Sequence, residues 1–341
     1  VTHDVHAPRD EAELEERLSR PSPSLVGKLA RVDGDLVILG AGGKMGPSLA
    51  RMAKRADPAR RVIAVSRWSN QAAAKSVEEI GVETLRVDLL DSASRAELPD
   101  TPNVVFMAGQ KFGTKGSPAT TWALNAAVPA YVIERYAGSR TVAFSTGNVY
   151  SLTMPNSGGS RESDLLAPIG EYANSCLARE RLFTSASLHG SPVAIVRLNY
   201  AHDLRYGVLT DLAVRIVNGE PIDLGMSYVN VIWQGDANAR ALAALAHAST
   251  PDPYIVNVAG PEALRVEDLA RALGDRLGSA PSFTGQPAPD ALLSNASRMQ
   301  ELLDDPLLPV DTLLDWVAEW VRNGGRLLGK PTKFERRDGQ F

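Results

Sequence analysis

Leu36-Val37-Ile38-Leu39-Gly40-Ala41-Gly42-Gly43-Lys44-Met45-Gly46 is the stretch whose reading decides the fold. An unbroken apolar run enters glycines at 40, 43 and 46, and a helical pattern over residues 44–56 follows. A strand buried on both faces reads as such a run. Glycine lets the chain turn tightly and lets its backbone approach a pyrophosphate. The next helix offers unpaired N–H groups and the positive end of its dipole. The position between a strand and a helix, at the head of a βαβ unit, is the context that dinucleotide binding requires. Gly40, Gly43, Lys44, Met45 and Gly46 are therefore the candidate cofactor-holding residues here, with a purely structural glycine turn as the alternative.

Working outward, further short apolar runs fall at Arg61–Ser66, Thr84–Val87, Val104–Met107, Val142–Ser145 and Val193–Val196. Helical stretches lie between them, notably 44–56, 119–138 and 171–188. Strands alternating with helices predict an α/β protein with a doubly wound parallel sheet, a Rossmann fold, over residues 35–200. Beyond Leu198 the rhythm is irregular, with helices expected at 209–218, 235–248, 266–277, 296–304 and 311–323 and a strand at Tyr254–Val258. Residues 201–341 read mainly as a smaller C-terminal α/β substrate lobe, with segments of about 229–260 returning to the sheet domain.

Residues 1–34 precede the first strand as a helical extension. Asp10 followed by Glu13 resembles a capping box, Glu11–Arg20 reads as one charged helix, and Pro21-Ser22-Pro23 ends it. A surface extension is the expectation, with packing on the domain's side or against another subunit as alternatives. The tail from Lys330 to Phe341 carries Lys330, Lys333, Arg336 and Arg337 and reads as extended.

The chain has 341 residues, 44% apolar and 22% charged, with a net charge of −4. That is globular composition. It gives no electrostatic argument for nucleic acid or an anionic membrane as partner. The single cysteine cannot close an intramolecular disulfide, which fits a reducing compartment. No apolar run approaches membrane-span length, and Val1-Thr2-His3-Asp4 shows no signal pattern. Cytoplasm is the default expectation. His3, His6, His189, His202 and His247 are scattered without metal-ligand spacing, so no metal is expected.

The second strand ends at Ser66-Arg67-Trp68. A carboxylate there would take ribose hydroxyls and repel a 2′-phosphate. Ser66 removes the repulsion and Arg67 supplies a planar cation suited to phosphate, with Lys44 as a second charge. NADP is favoured, with NAD possible if Arg67 is merely solvated. Asp88 and Leu89 would sit beside the adenine, although Asp88 would serve equally as a helix cap.

Together these pieces resemble the extended short-chain dehydrogenases, the NAD-dependent epimerase/dehydratase family that includes UDP-galactose 4-epimerase, over roughly residues 35–260. Met107-Ala108-Gly109-Gln110-Lys111 is similar to the family's turn under the cofactor. Asn125 in Ala123-Leu124-Asn125-Ala126-Ala127 is similar to its helix asparagine. Phe144–Tyr150 resembles the segment that carries the catalytic Ser or Thr, here Thr146. Pro168 and Tyr172 resemble the start of the catalytic helix, Arg197–Tyr200 the strand after it, and Asn257–Gly260 a late strand. The resemblance implies that the Tyr172 hydroxyl exchanges a proton with a substrate oxygen while hydride moves to or from the nicotinamide. It implies that Thr146 bonds the same oxygen, and that Ala108, Gly109 and Asn125 help to hold the cofactor.

The departure is Cys176. The family carries a lysine four residues after the tyrosine, and that cation lowers the pKa of a phenol that otherwise titrates near ~10. Cys176 lies on the right face but carries no positive charge. Three readings stay open. Another cation substitutes, with Lys111 preferred and Arg179 expected to reach less well; Tyr172 serves mainly as a proton donor; or the chain binds the dinucleotide without redox chemistry. Cys176 itself reads as a small buried residue rather than a nucleophile. Glu162, Asp164 and Glu171 read as caps and solvated charge, with Glu162 or Asp164 bordering the substrate as the alternative.

The resulting expectation is an NAD(P)-dependent epimerase, dehydratase or reductase acting on a sugar, sugar acid or related polyol. The competing one is a degenerate cofactor-binding regulatory or scaffold protein. Tyr200 stands where the epimerases tend to have an asparagine near the substrate diphosphate, which favours a smaller, unactivated substrate. The resemblance also implies a homodimer through helices 119–138 and 171–188.

Overall fold

In the computed structural model, which describes residues 6–111 and 116–340, the apolar runs become one sheet. His3, the polar start of the chain and Phe341 lie outside the described residues. The strands are β1 (Leu36–Leu39), β2 (Val62–Ser66), β3 (Glu83–Arg86), β4 (Asn103–Phe106), β5 (Arg140–Thr146), β6 (Val193–Leu198) and β7 (Tyr254–Val258). They form a seven-stranded sheet in the order β7-β6-β5-β4-β1-β2-β3, and every pairing is parallel. The order reverses between β1 and β4, so a crevice opens at their carboxyl ends.

α1 (Glu11–Leu18) and α2 (Pro23–Leu29) precede β1, and α3 (Gly46–Ala56) follows it. α4 (Gln71–Glu78) and α5 (Ser92–Arg95) join the next strands. α6 (Pro118–Trp122), a π-helical turn (Ala123–Ala127) and α7 (Val128–Arg135) form one interrupted helix before β5. α8 (Gly170–Leu188) carries Tyr172. α9 (Val208–Asn218), α10 (Gln234–Ala243), α11 (Val266–Leu277) and α12 (Val310–Arg322) complete the set. One sheet face is buried under α2, α3 and α10, the other under α7 and α8. A separate apolar core gathers α9, α11 and α12 into a second lobe.

The leader departs from its expectation twice. It contains a second helix, because Pro23 occupies a first-turn position where its missing N–H costs nothing, and the Ser22 hydroxyl accepts from Leu25 N at 3.1 Å. Nor is it a surface extension. Leu14 and Leu18 enter the second lobe's core and Leu25 and Leu29 enter the sheet's core, all at most 1% exposed. Each such burial stabilises by about 1.5–3 kcal/mol. The capping box is half made: the Asp10 carboxylate accepts from Glu13 N at 2.9 Å, while Glu13 accepts from Arg9 N.

The π-turn has a local cause. Pro129 has no N–H to give to the Asn125 carbonyl one turn back. Arg179 Nε donates to that carbonyl instead, at 3.3 Å.

Candidate active site

The glycines of the loop after β1 answer to different neighbours. Gly40 has φ of +92°, and a Cβ there would stand 2.5 Å from Ala108 N, so the β1 turn and the β4 turn touch only because Gly40 is bare. A Cβ on Gly46 would meet Ala41 O at 2.2 Å, so this glycine lets α3 pack on the loop. A Cβ on Gly43 would meet nothing nearer than Gly40 O at 3.4 Å. The protein's own packing does not require that glycine. Met45 begins α3 without a side-chain cap, so the first-turn N–H groups remain for an anion. These residues fit a dinucleotide pyrophosphate.

Ser66 ends β2 against Gly42, and Arg67 is exposed beside it. Asp88 is not a helix cap: its Oδ1 accepts from Leu90 N at 3.0 Å, and Asp91 caps α5. Leu89 is buried. Lys44 turns towards the second lobe, with Nζ 3.1 Å from the centre of the Tyr206 ring. Burial, then the charges of Lys111 and Lys330, push its pKa down to about 7.

Met45, Lys111, Thr146, Tyr172, Tyr200 and Arg336 are among the residues that line one cavity between the lobes. Tyr172 stands in the first turn of α8 and Thr146 at the end of β5. Their side chains are hydrogen-bonded to each other, and Thr146 Oγ1 also accepts from Asn148 N at 3.2 Å and Nδ2 at 3.0 Å. Cys176 is 1% exposed and packs with Val149, Tyr150 and Tyr172. Burial raises the Tyr172 phenol above its ordinary range; the Cys176 thiol adds to the rise, while Thr146 and Arg179 oppose it. Lys111 Nζ lies 5.9 Å from the Tyr172 ring centre, and burial pushes its pKa down to about 8.

Asn125 departs from its expected place against the cofactor. Its Oδ1 accepts from Gln110 N at 2.8 Å and Arg179 Nη2 at 2.9 Å, and its Nδ2 donates to Gln110 O and Ser175 Oγ, both at 3.0 Å. The amide is spent on the protein, so it shapes the loop that carries Ala108 to Lys111. Arg179 also reaches further than expected. It lies under that loop, donates to Phe144 O at 2.9 Å and acts on Tyr172 through its charge. A Cβ on Gly109 would meet Arg179 Nη2 at 2.5 Å, so this glycine makes room for the arginine.

No protein-family model matches the chain. No curated protein matches it. Solved structures do. UDP-glucuronic acid 4-epimerase from Bacillus cereus, solved with UDP-glucuronic acid and NAD, superposes with a TM-score of 0.71 at 17% identity, over 85% of this chain and 99% of that one. dTDP-glucose 4,6-dehydratase from Bacillus anthracis str. Ames, solved with NAD, gives 0.72 at 13% identity, over 85% and 97%. MoeE5 with UDP-glucose and NAD gives 0.69 at 20%, over 85% and 99%. The chain shares the fold of these structures.

Under the site, that fold carries here a buried polar network that the sequence did not disclose. Ser145 Oγ donates to Glu180. Glu180 pairs with Arg197 at 2.8 Å, both side chains 3% exposed. Arg197 donates to Tyr150 Oη at 2.7 Å, and Tyr150 donates to Asn257 Oδ1 at 2.8 Å. Glu162 accepts from Asn257 N at 2.7 Å, so it fastens β7 rather than bordering substrate. Asp164 accepts from Arg161 N, and Glu171 from Trp122 Nε1. The tail supplies the other unforeseen part: Thr332, Phe334 and Arg336 line the cavity. Its four cations were visible in sequence, but nothing local ties the tail to Asp211 and Arg215, about 120 positions away.

Proposed function

We propose that the chain is an NAD(P)-dependent enzyme of the extended short-chain dehydrogenase type. It acts on a sugar, sugar acid or related polyol as an epimerase, dehydratase or reductase. The observation that carries this reading is the meeting of Tyr172, Thr146 and Lys111 on one cavity with Met45 of the glycine loop. The bound nicotinamide supplies or takes the hydride. Tyr172 exchanges the proton at its hydroxyl, and Thr146 orients the same substrate oxygen. Gly40, Gly43, Met45 and Gly46 hold the pyrophosphate, and Lys111 stands in for the missing helix lysine. The NADP preference is supported by Ser66 and the exposed Arg67 at the end of β2, although the neighbouring structures hold NAD. A homodimer through α7 and α8 belongs to the same reading.

The test is fluorescence titration with NADPH and NADH on the parent, Arg67→Ala and Lys111→Ala, followed by turnover of the parent and Tyr172→Phe on keto sugars and polyols. Tight NADPH binding that weakens in Arg67→Ala supports the phosphate assignment; equal binding of both cofactors removes it. Turnover that vanishes in Tyr172→Phe while cofactor binding survives supports the enzyme. A second reading, a cofactor-binding regulatory or scaffold protein, draws on the raised Tyr172 pKa beside Cys176. It expects binding without turnover.

A further inference from the structure

The cavity beside Tyr172 has an unusual charge balance. Lys111 and Arg336 line it, and no aspartate or glutamate does so among the described residues. Two carboxylates lie nearby, Asp211 within electrostatic reach of Tyr206 and Glu335 of Tyr200, and each has protein partners. Asp211 Oδ2 accepts from Thr332 N at 2.7 Å and Thr332 Oγ1 at 2.6 Å. Glu335 pairs with Arg215 at 3.1 Å. Lys44 lies close by, over Tyr206, which also lines the cavity, and adds positive charge when it is protonated. Low-dielectric walls focus such a field and favour an anion inside.

The tail is built so that Arg336 is the member offered to the cavity. Its two neighbours are fastened to the second lobe: Glu335 to Arg215, and Arg337 to Asp290. Gly339 packs against Ile169 and Gly170, at the start of the helix that carries Tyr172. The backbone around 336 is thus held on both sides. Arg336 itself has an ion-pair partner in Asp338 at 3.6 Å, with both side chains about half exposed, and such a pair is weak. A guanidinium so placed matches carboxylate or phosphate oxygens two at a time.

We propose that the site takes a small substrate bearing an anionic group, a carboxylate or a phosphate, and that Arg336 of the C-terminal tail is the specificity-determining residue that pairs with it. The proposal deepens the enzymatic reading above and rests on it.

The experiment is calorimetric titration of the full chain, saturated with whichever nicotinamide cofactor binds, using D-glucuronate, D-glucose 6-phosphate and neutral D-glucose. At least one acidic sugar should bind about tenfold or more tighter than glucose, the scale of one charged hydrogen-bonded contact. Whether the carboxylate or the phosphate binds tighter identifies the group. Arg336→Gln should erase most of that preference, and Arg336→Lys should restore part of it. Cofactor affinity measured on the same variants reports that they are folded. Equal binding of all three sugars, no saturable binding of either acid, or a preference that survives Arg336→Gln overturns the proposal. If the parent fails to bind any cofactor, the enzymatic reading fails first; intact cofactor binding without acid preference sinks this proposal alone.

Discussion

Lys111 Nζ lies 5.9 Å from the ring centre of Tyr172, which makes this residue of the loop after β4 the candidate for the cation absent from position 176. Burial pushes the pKa of the same lysine down to about 8. Replacing it tests the substitution directly. Lys111→Met should lower kcat by on the order of 10–100-fold, the size of one charge at this range in a partly screened site. The parent's kcat/KM profile should show a group near pH 8 that the variant's profile lacks. A variant with full activity and an unchanged profile would remove Lys111 from the chemistry.

Lys44 predicts proton uptake on cofactor binding. Its pKa stands at about 7 because burial and the charges of Lys111 and Lys330 disfavour the ammonium. A pyrophosphate nearby would raise it. Calorimetry at pH 7.5 in buffers of different ionisation enthalpy should therefore show protons taken up, and Lys44→Met should abolish most of the buffer dependence. The ligand-free protein follows the opposite linkage. Between pH 7 and about 10 the unfolded chain holds more protons on this lysine than the folded one, so stability should rise with pH across that window. A Tm that falls from pH 7 to 9 through this residue would contradict the assignment.

The glycines should separate by phenotype. Gly46→Ala forces a Cβ into Ala41 O and should destabilise by about 1–3 kcal/mol, the cost of overpacking. Gly43→Ala meets only an ordinary contact and should melt within a degree or two of the parent, yet lose most cofactor affinity. Thermal melts with and without cofactor distinguish the two.

Glu180→Ala leaves the Arg197 guanidinium buried and without its 2.8 Å partner. Removing one member of a buried pair costs about 3–5 kcal/mol, which a urea titration would read as a lower midpoint. The double variant Glu180→Leu/Arg197→Met should recover much of that loss.

The sheet was legible because every strand but β3 is a largely buried apolar run, and the glycine loop marked where the first one ends. The positions of Thr146 and Tyr172 were legible because one ends β5 and the other stands in the first turn of α8. Cys176 was legible as a small buried residue, since it lies one turn from Tyr172 on the same face. Leu14, Leu18, Leu25 and Leu29 were misjudged because their partners lie in two different cores far along the chain. Arg179 was discounted on its distance along the helix, whereas the π-turn and Pro129 bring it under the site. Arg336 reaches the cavity only through tail anchors at Asp211, Arg215 and Asp290, and no local pattern encodes those.

Gly109 has a consequence for descent. A reader of motifs would credit this glycine to a cofactor, but the atoms that forbid a side chain there belong to Arg179 and Asn125. Positions 109, 125 and 179 thus form one packed unit. In relatives where 179 is shortened, 109 should be free to drift to alanine or serine. Where the arginine persists, glycine and asparagine should persist with it.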